Sequence, residues 1–128
     1  MLPKPPKALP DNFLVIGDTP HDWLFPHTAA VIHHGRSGAS HSAARADAPS
    51  IVTPFAGDQF FCAERLRQAG VAPTAVDGRR PKAATFVRAL DSAVDARVRN
   101  RARALGEAMR AENGVAYAVT ALERIVAS

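Results

Sequence analysis

A single cysteine, Cys62, leaves no partner for an internal disulfide, so a bridged framework is excluded and a reducing compartment is the simplest home. Aromatic residues make up only 6% of the chain. None interleaves with the basic positions, so the stacking platform of a nucleic-acid binder is missing. The closely spaced Arg97, Arg99, Arg101 and Arg103 do not share one helix face, and with the Arg79–Lys82 cluster they read as solvated surface. No apolar run approaches the roughly 20 residues that cross a bilayer. The opening MLPKPPKALPDN has no apolar stretch and is not a secretory signal. Charge of one sign is also lacking: 16 Lys and Arg stand against 12 Asp and Glu, for a net +4. That excess suits an anionic ligand and does not call for nucleic acid. A soluble cytoplasmic protein is expected, with no internal repeat and no long linker.

What is present is an ordinary globular balance, 47% hydrophobic and 22% charged, over 128 residues, enough for one core. Residues 1–11, with prolines at 3, 5, 6 and 10, read as an extended leader, and residues 12–128 as one domain. FLVIG (13–17), AAVIHH (29–34) and SIVTPF (50–55) are short apolar runs expected as buried strands near 13–16, 29–33 and 50–53, and VAPTAV (71–76) adds a short fourth. PHDWLFPH (20–27) holds one helical turn. Helices are expected from Ser40 to Ala46 and from Gln59 to Ala69, the second capped by Asp58 and ended by Gly70. The C-terminal third is helical. Phe86, Leu90 and Val94 recur on one face, as do Val98, Ala102, Leu105 and Met109, and then Val115, Val119, Leu122 and Ile125. Short apolar strands alternating with helices predict an α/β fold, a partial Rossmann-like parallel sheet flanked by helices. Ligands of such sheets bind beyond the carboxyl ends of the strands.

Two strand ends carry the chemistry. In HHGRSGAS (33–40) a strand delivers two histidines into a Gly-X-X-Gly turn that opens a helix. Backbone amides at Gly35 and Gly38, the helix N-terminus and a histidine suit a phosphate or diphosphate. A glycine turn between strand and helix also serves purely as a turn. His33 and His34 leave a strand on opposite faces, and no carboxylate or cysteine completes a metal set with them and His41, so no metal is expected. In PFAGDQ (54–59), Asp58 and Gln59 offer acceptors and a donor of the kind that sugar hydroxyls require, although Asp58 serves equally as a helix cap.

Taken together, PHDWLFPHTAAVIHHGRSGASHSAARADAPSIVTPFAGDQFFCAERL (20–66) resembles the donor-binding signature of nucleoside-diphosphate-sugar glycosyltransferases of the two-Rossmann-domain GT-B fold. The sterol and macrolide branch, with its PHDWLF…HHGG-x-GT…P…DQ pattern, is the most similar. AENGVAYAVTALE (111–123) resembles the closing helix of that family. The resemblance implies that His33 contacts the donor diphosphate, that Gly35, Ser37, Gly38 and Ser40 lie in the phosphate-cradling turn, and that Asp58 and Gln59 hold the sugar hydroxyls. Pro20 falls at the nucleobase segment. Trp23, just beyond it, is read as a packing residue rather than a base-stacking platform. The pattern departs at Arg36, usually glycine, at Ala39 and Ser40, usually two threonines, at Asp47, usually glycine, and at Cys62, usually tryptophan.

The function implied is the donor-binding portion of a hexosyltransferase that takes a nucleoside diphosphate sugar, a UDP-sugar by resemblance, as substrate. No cofactor and no metal are implied, and no catalytic residue is assigned within the chain. The acceptor-binding domain of the family, which supplies the base, is expected in a missing domain or a partner chain. The isolated chain is then inactive. The alternative is a non-catalytic remnant or interaction module of the same fold.

Overall fold

The structure is a computed structural model that describes residues 8–128. Most of the expected leader, residues 1–7, therefore lies outside the described residues. The chain runs through a short helix α1 (His21–Leu24), a 3-10 turn (Phe25–His27), strand β1 (Val31–His33), helix α2 (Ser37–Arg45) and strand β2 (Ser50–Val52). Helices α3 (Asp58–Gln68), α4 (Ala83–Ala93), α5 (Ala96–Ala111) and α6 (Gly114–Ala127) follow. β1 and β2 are parallel, with Val31 opposite Ser50, Ile32 opposite Ile51 and His33 opposite Val52. They form a β–α–β unit with α2 as its crossover, the connection that parallel pairing requires.

Helices cover both faces of β2, as its apolar run predicted, while Ile32 of β1 is 51% exposed. The β2 pattern explains it: successive side chains go to opposite faces. Val52 packs with Ala63, Leu66, Val71, Ala72 and Ala102, on the side of α3 and α5. Ile51 packs with Val76, Ala89 and Ala93, on the side of α4. Phe25 and Val31 close a third cluster with Ala43 and Ala48. The cores are rich in alanine, which lets helices approach closely but buries little area per residue.

Four expectations are corrected. Residues 13–16 form no strand, and Phe13, Leu14 and Val15 are exposed. A strand buried on both faces needs neighbours on every side, and among the described residues the run pairs with none. The segment at 71–76 is not a regular strand either. It does lie along β2: Ser50 N–H donates to the Val71 carbonyl at 3.0 Å, and Val76 N–H to the Val52 carbonyl at 2.9 Å. Pro73 has no N–H to continue the ladder, which cuts the pairing short. On α4, Phe86 of the expected stripe packs inward beside buried Ala89 and Ala93, whereas Leu90 and Val94 stay half exposed, so the inward face turns away from the stripe after its first member. Trp23 is 63% exposed, beside the His27 ring at 5.4 Å between centroids, so it is not a buried packing residue.

One departure from the family pattern finds its reason here. Asp47 adopts φ of 61°, the left-handed region that favours glycine and tolerates Asp. Its carboxylate accepts from Arg110 at 2.7 Å, and Arg110 also donates to the Arg45 carbonyl. α5 is thereby pinned to the end of α2.

Candidate functional site

The carboxyl ends of β1 and β2 carry the two turns singled out by sequence, and the fold locks them together. The His33 carbonyl accepts from Thr53 N–H at 2.8 Å and from Thr53 Oγ1 at 3.2 Å. Above that joint, Gly35 is buried with φ of 94°. A Cβ on Gly35 would stand 2.7 Å from Val52 Cγ1 and 2.9 Å from the Gln59 carbonyl oxygen. The first turn thus rests directly on the start of α3. Gly35 touches both His33 and Gln59.

The two glycines have different tasks. Gly35 is packed by protein and is not open to a ligand. Gly38 is exposed in the first turn of α2, and a Cβ there would meet nothing within 4 Å. α2 starts without a side-chain cap, so its first amides, at Ser37, Gly38 and Ala39, face outward at the positive end of the helix dipole. The first intrahelical bond runs from Ser40 N–H to the Arg36 carbonyl. Arg36 occupies the cap position with φ of −64°, which any L-residue adopts, so its place in a usual glycine position does not distort the turn.

His33 is held from both sides. Gly35 N–H donates to Nδ1 at 3.1 Å, which fixes the proton on Nε2. Nε2 lies 3.0 Å from Oγ of fully buried Ser50. Burial, then repulsion from His34 and His21, lowers the pKa of His33 from 6.5 to about 4. The ring is neutral at physiological pH. The unfolded chain therefore binds a proton that the folded chain refuses between about pH 6.5 and 4. Stability should fall as pH drops through that window. Thermal melts from pH 7 to 4.5 test this: the acid-side decline should be shallower in His33→Asn than in the parent, and equal slopes would reject it.

Ser37 is exposed, whereas Ser40 is 8% exposed and its Oγ has no hydrogen-bond partner. The hydroxyl is a buried group left unpaired, which costs free energy unless something satisfies it. Asp58 is exposed as the first residue of α3. Gly57 takes the cap position with no side-chain cap bond, so the capping role expected of Asp58 is not used. Gln59 is buried, and its Oε1 accepts from Phe55 N–H at 2.7 Å and from Ala56 N–H at 3.3 Å. Gln59 thus shapes the loop before α3, a role that residue type alone did not reveal. What the site presents outward is an uncapped helix start and the Asp58 carboxylate, while both nitrogens of the neutral His33 are engaged within the protein.

The comparisons fit this arrangement. The family model described as erythromycin biosynthesis protein CIII-like, C-terminal domain, matches residues 4–124. A sterol 3-beta-glucosyltransferase of Yarrowia lipolytica is 40% identical over 122 residues, covering 94% of this chain and 8% of that protein. One of Arabidopsis thaliana is 36% identical over 120 residues, covering 91% of this chain and 19% of its own length. The crystal structure of the glycotransferase of kitacinnamycin superposes with a TM-score of 0.81 at 26% identity, over 91% of this chain and 30% of that one. The chain thus spans only a minor part of each of these three proteins. No helix among the described residues is long and apolar enough to cross a membrane. By sequence and by architecture, this chain belongs to the erythromycin biosynthesis protein CIII-like C-terminal domain family, the C-terminal domain of GT-B glycosyltransferases.

Proposed function

We propose that the domain binds a nucleoside diphosphate sugar, UDP-glucose first among candidates, and contributes the donor half of a glucosyl transfer to an acceptor hydroxyl. The observation that carries this reading is the contact of Gly35 with Gln59, which sets the uncapped start of α2 beside the Asp58–Gln59 turn. The diphosphate lies on the amides of Ser37, Gly38 and Ala39. His33, with its proton fixed on Nε2, gives a phosphate oxygen the hydrogen bond it now shares with Ser50. Ser40 supplies its unpaired hydroxyl. The sugar hydroxyls go to Asp58 and to the amide nitrogen of Gln59. Fixed dipoles then stabilise the diphosphate as it leaves, without a metal or cofactor. The names of the sterol glucosyltransferase relatives support glucose as the sugar.

Titration calorimetry with UDP-glucose tests the reading. His33→Ala should weaken binding by roughly tenfold to a hundredfold, the worth of one hydrogen bond to a charged group. Equal affinity in mutant and parent would reject the role of His33. Because the ring is neutral, its contribution should not titrate between pH 6 and 8. Ser40→Ala should separate affinity from stability. It removes an unpaired buried hydroxyl, so the unfolding midpoint should hold or rise, while UDP affinity falls about tenfold. A lower midpoint with unchanged affinity would show that Ser40 is structural.

A second reading, an interaction module without turnover, is favoured by α6. Every residue of that helix is exposed, including Val115, Tyr117, Leu122 and Ile125. The two readings part on UDP binding, which an interaction module lacks.

A further inference from the structure

A hexose has two kinds of surface: a rim of hydroxyls and a face of C–H bonds. Asp58 and Gln59 answer only the rim. We propose that Phe55 supplies the other half of the sugar subsite, its ring stacking on the C–H face of the donor hexose. This rests on the donor-binding reading above and adds a specificity-determining residue to it.

Phe55 stands at the carboxyl end of β2, just after Pro54, and is 52% exposed. A lone exposed phenylalanine is unremarkable in itself. This one is held at both ends. Its backbone N–H donates to Gln59 Oε1 at 2.7 Å, so ring and sugar-binding amide belong to one hydrogen-bonded loop. One face of its ring lies against Gly78. A Cβ there would stand 2.9 Å from Cζ and 3.0 Å from Cε1 and Cε2, so only glycine admits the ring. Gly78 thus backs one face of the ring, and the half exposure of the side chain is left to the other face.

The support beneath the ring is fixed as well. Gly78 N–H donates to the Pro54 carbonyl at 3.2 Å. On the next residue, Arg79 pairs with Asp77 at 3.1 Å and lies 5.7 Å from the centroid of the Phe60 ring. Exposed side chains normally sample several rotamers, and ordering one on binding costs free energy. Here the ordering is in place before any ligand arrives. An aromatic face is electron-rich and attracts weakly positive C–H groups. A pinned ring with one face backed by Gly78, in the loop that leads into Asp58 and Gln59, suits the C–H face of a sugar.

The test is titration calorimetry on the full chain with UDP and with UDP-glucose, for the parent, Phe55→Ala, Phe55→Leu and Phe55→Tyr. Thermal melts check that each variant folds. The parent should bind UDP-glucose more tightly than UDP. Phe55→Ala and Phe55→Leu should lose about three- to tenfold for UDP-glucose, the size of an aromatic contact, with UDP unchanged. Phe55→Tyr keeps the ring and should stay within about twofold of the parent. The leucine variant retains apolar bulk, so it decides the matter where alanine destabilises the loop. Unchanged UDP-glucose affinity, or equal losses for both ligands, overturns the role of Phe55 and leaves the donor site standing. Equal parental affinities for the two ligands also overturn it. A parent that binds neither ligand overturns the donor reading, and Phe55 falls with it.

Discussion

Gly35→Ala is expected to cost about 2–5 kcal/mol of folding stability, the largest effect of any single substitution considered for this chain. Two penalties combine. An alanine at φ of 94° carries about 1–2 kcal/mol of backbone strain. Its methyl would also press on Val52 Cγ1 and on the Gln59 carbonyl, both closer than 3.0 Å. Neither neighbour can step aside easily: Val52 is buried in the α3–α5 core, and the carbonyl belongs to the first turn of a helix. Overpacking of that kind costs about 1–3 kcal/mol. A domain typically has 5–15 kcal/mol in hand, so the loss is a large fraction of the total. Urea unfolding followed by circular dichroism measures it.

Gly38→Ala is the matched control. Its Cβ enters open space in a helix, where alanine outranks glycine by about 0.5–1 kcal/mol, so its midpoint should hold or rise. UDP binding should nonetheless weaken, because the methyl occupies the approach to the first amides of α2. An unfolding midpoint for Gly35→Ala equal to that of the parent would show that the two turns are not locked as described.

The contrast between these two glycines shows where sequence reading stopped. HHGRSG disclosed a turn opening a helix, because glycine spacing and polarity are local properties. Which glycine meets protein and which meets solvent depends on α3, a partner more than 20 residues away, and no local pattern encodes it. Gln59 is a similar case. Its residue type fits sugar hydroxyls, yet its Oε1 is spent on two backbone amides of its own loop. The β–α–β unit was legible because short apolar runs broken by glycine and proline leave few alternatives. FLVIG was misread for the same reason: an apolar run states that burial is wanted, and says nothing of whether a neighbour provides it. On α4 the inward face is made by Phe86 with Ala89 and Ala93, and a four-residue spacing alone did not separate Ala89 and Ala93 from Leu90 and Val94. Phe55 gave no sequence signal beyond its type, since its tether to Gly78 spans a loop, a helix and a further turn.

The isolated 128-residue chain should bind donor and form no glycoside. Transfer to a hydroxyl needs a base within hydrogen-bond reach of the acceptor proton. His33 cannot serve: Nδ1 is occupied by Gly35 N–H, Nε2 carries the proton, and a pKa near 4 makes the ring a poor acceptor. Asp58 is exposed at a helix start and is assigned to the sugar hydroxyls, on the donor side of the site. The acceptor must also be held in line with the anomeric carbon, and orientation alone is worth about 7–11 kcal/mol of barrier. Among the described residues, no opposing wall faces this site to hold a second substrate against the first. Donor hydrolysis by water should be equally slow, for want of the same base. Incubation of the purified chain with UDP-glucose and a panel of sterol and other hydroxylated acceptors, followed by mass spectrometry, decides the point. The expected result is bound UDP-glucose recovered intact. Glycoside formed in proportion to protein, and abolished by His33→Ala, would mean that this face is a complete catalyst and that His33 releases the hydrogen bonds that now occupy it.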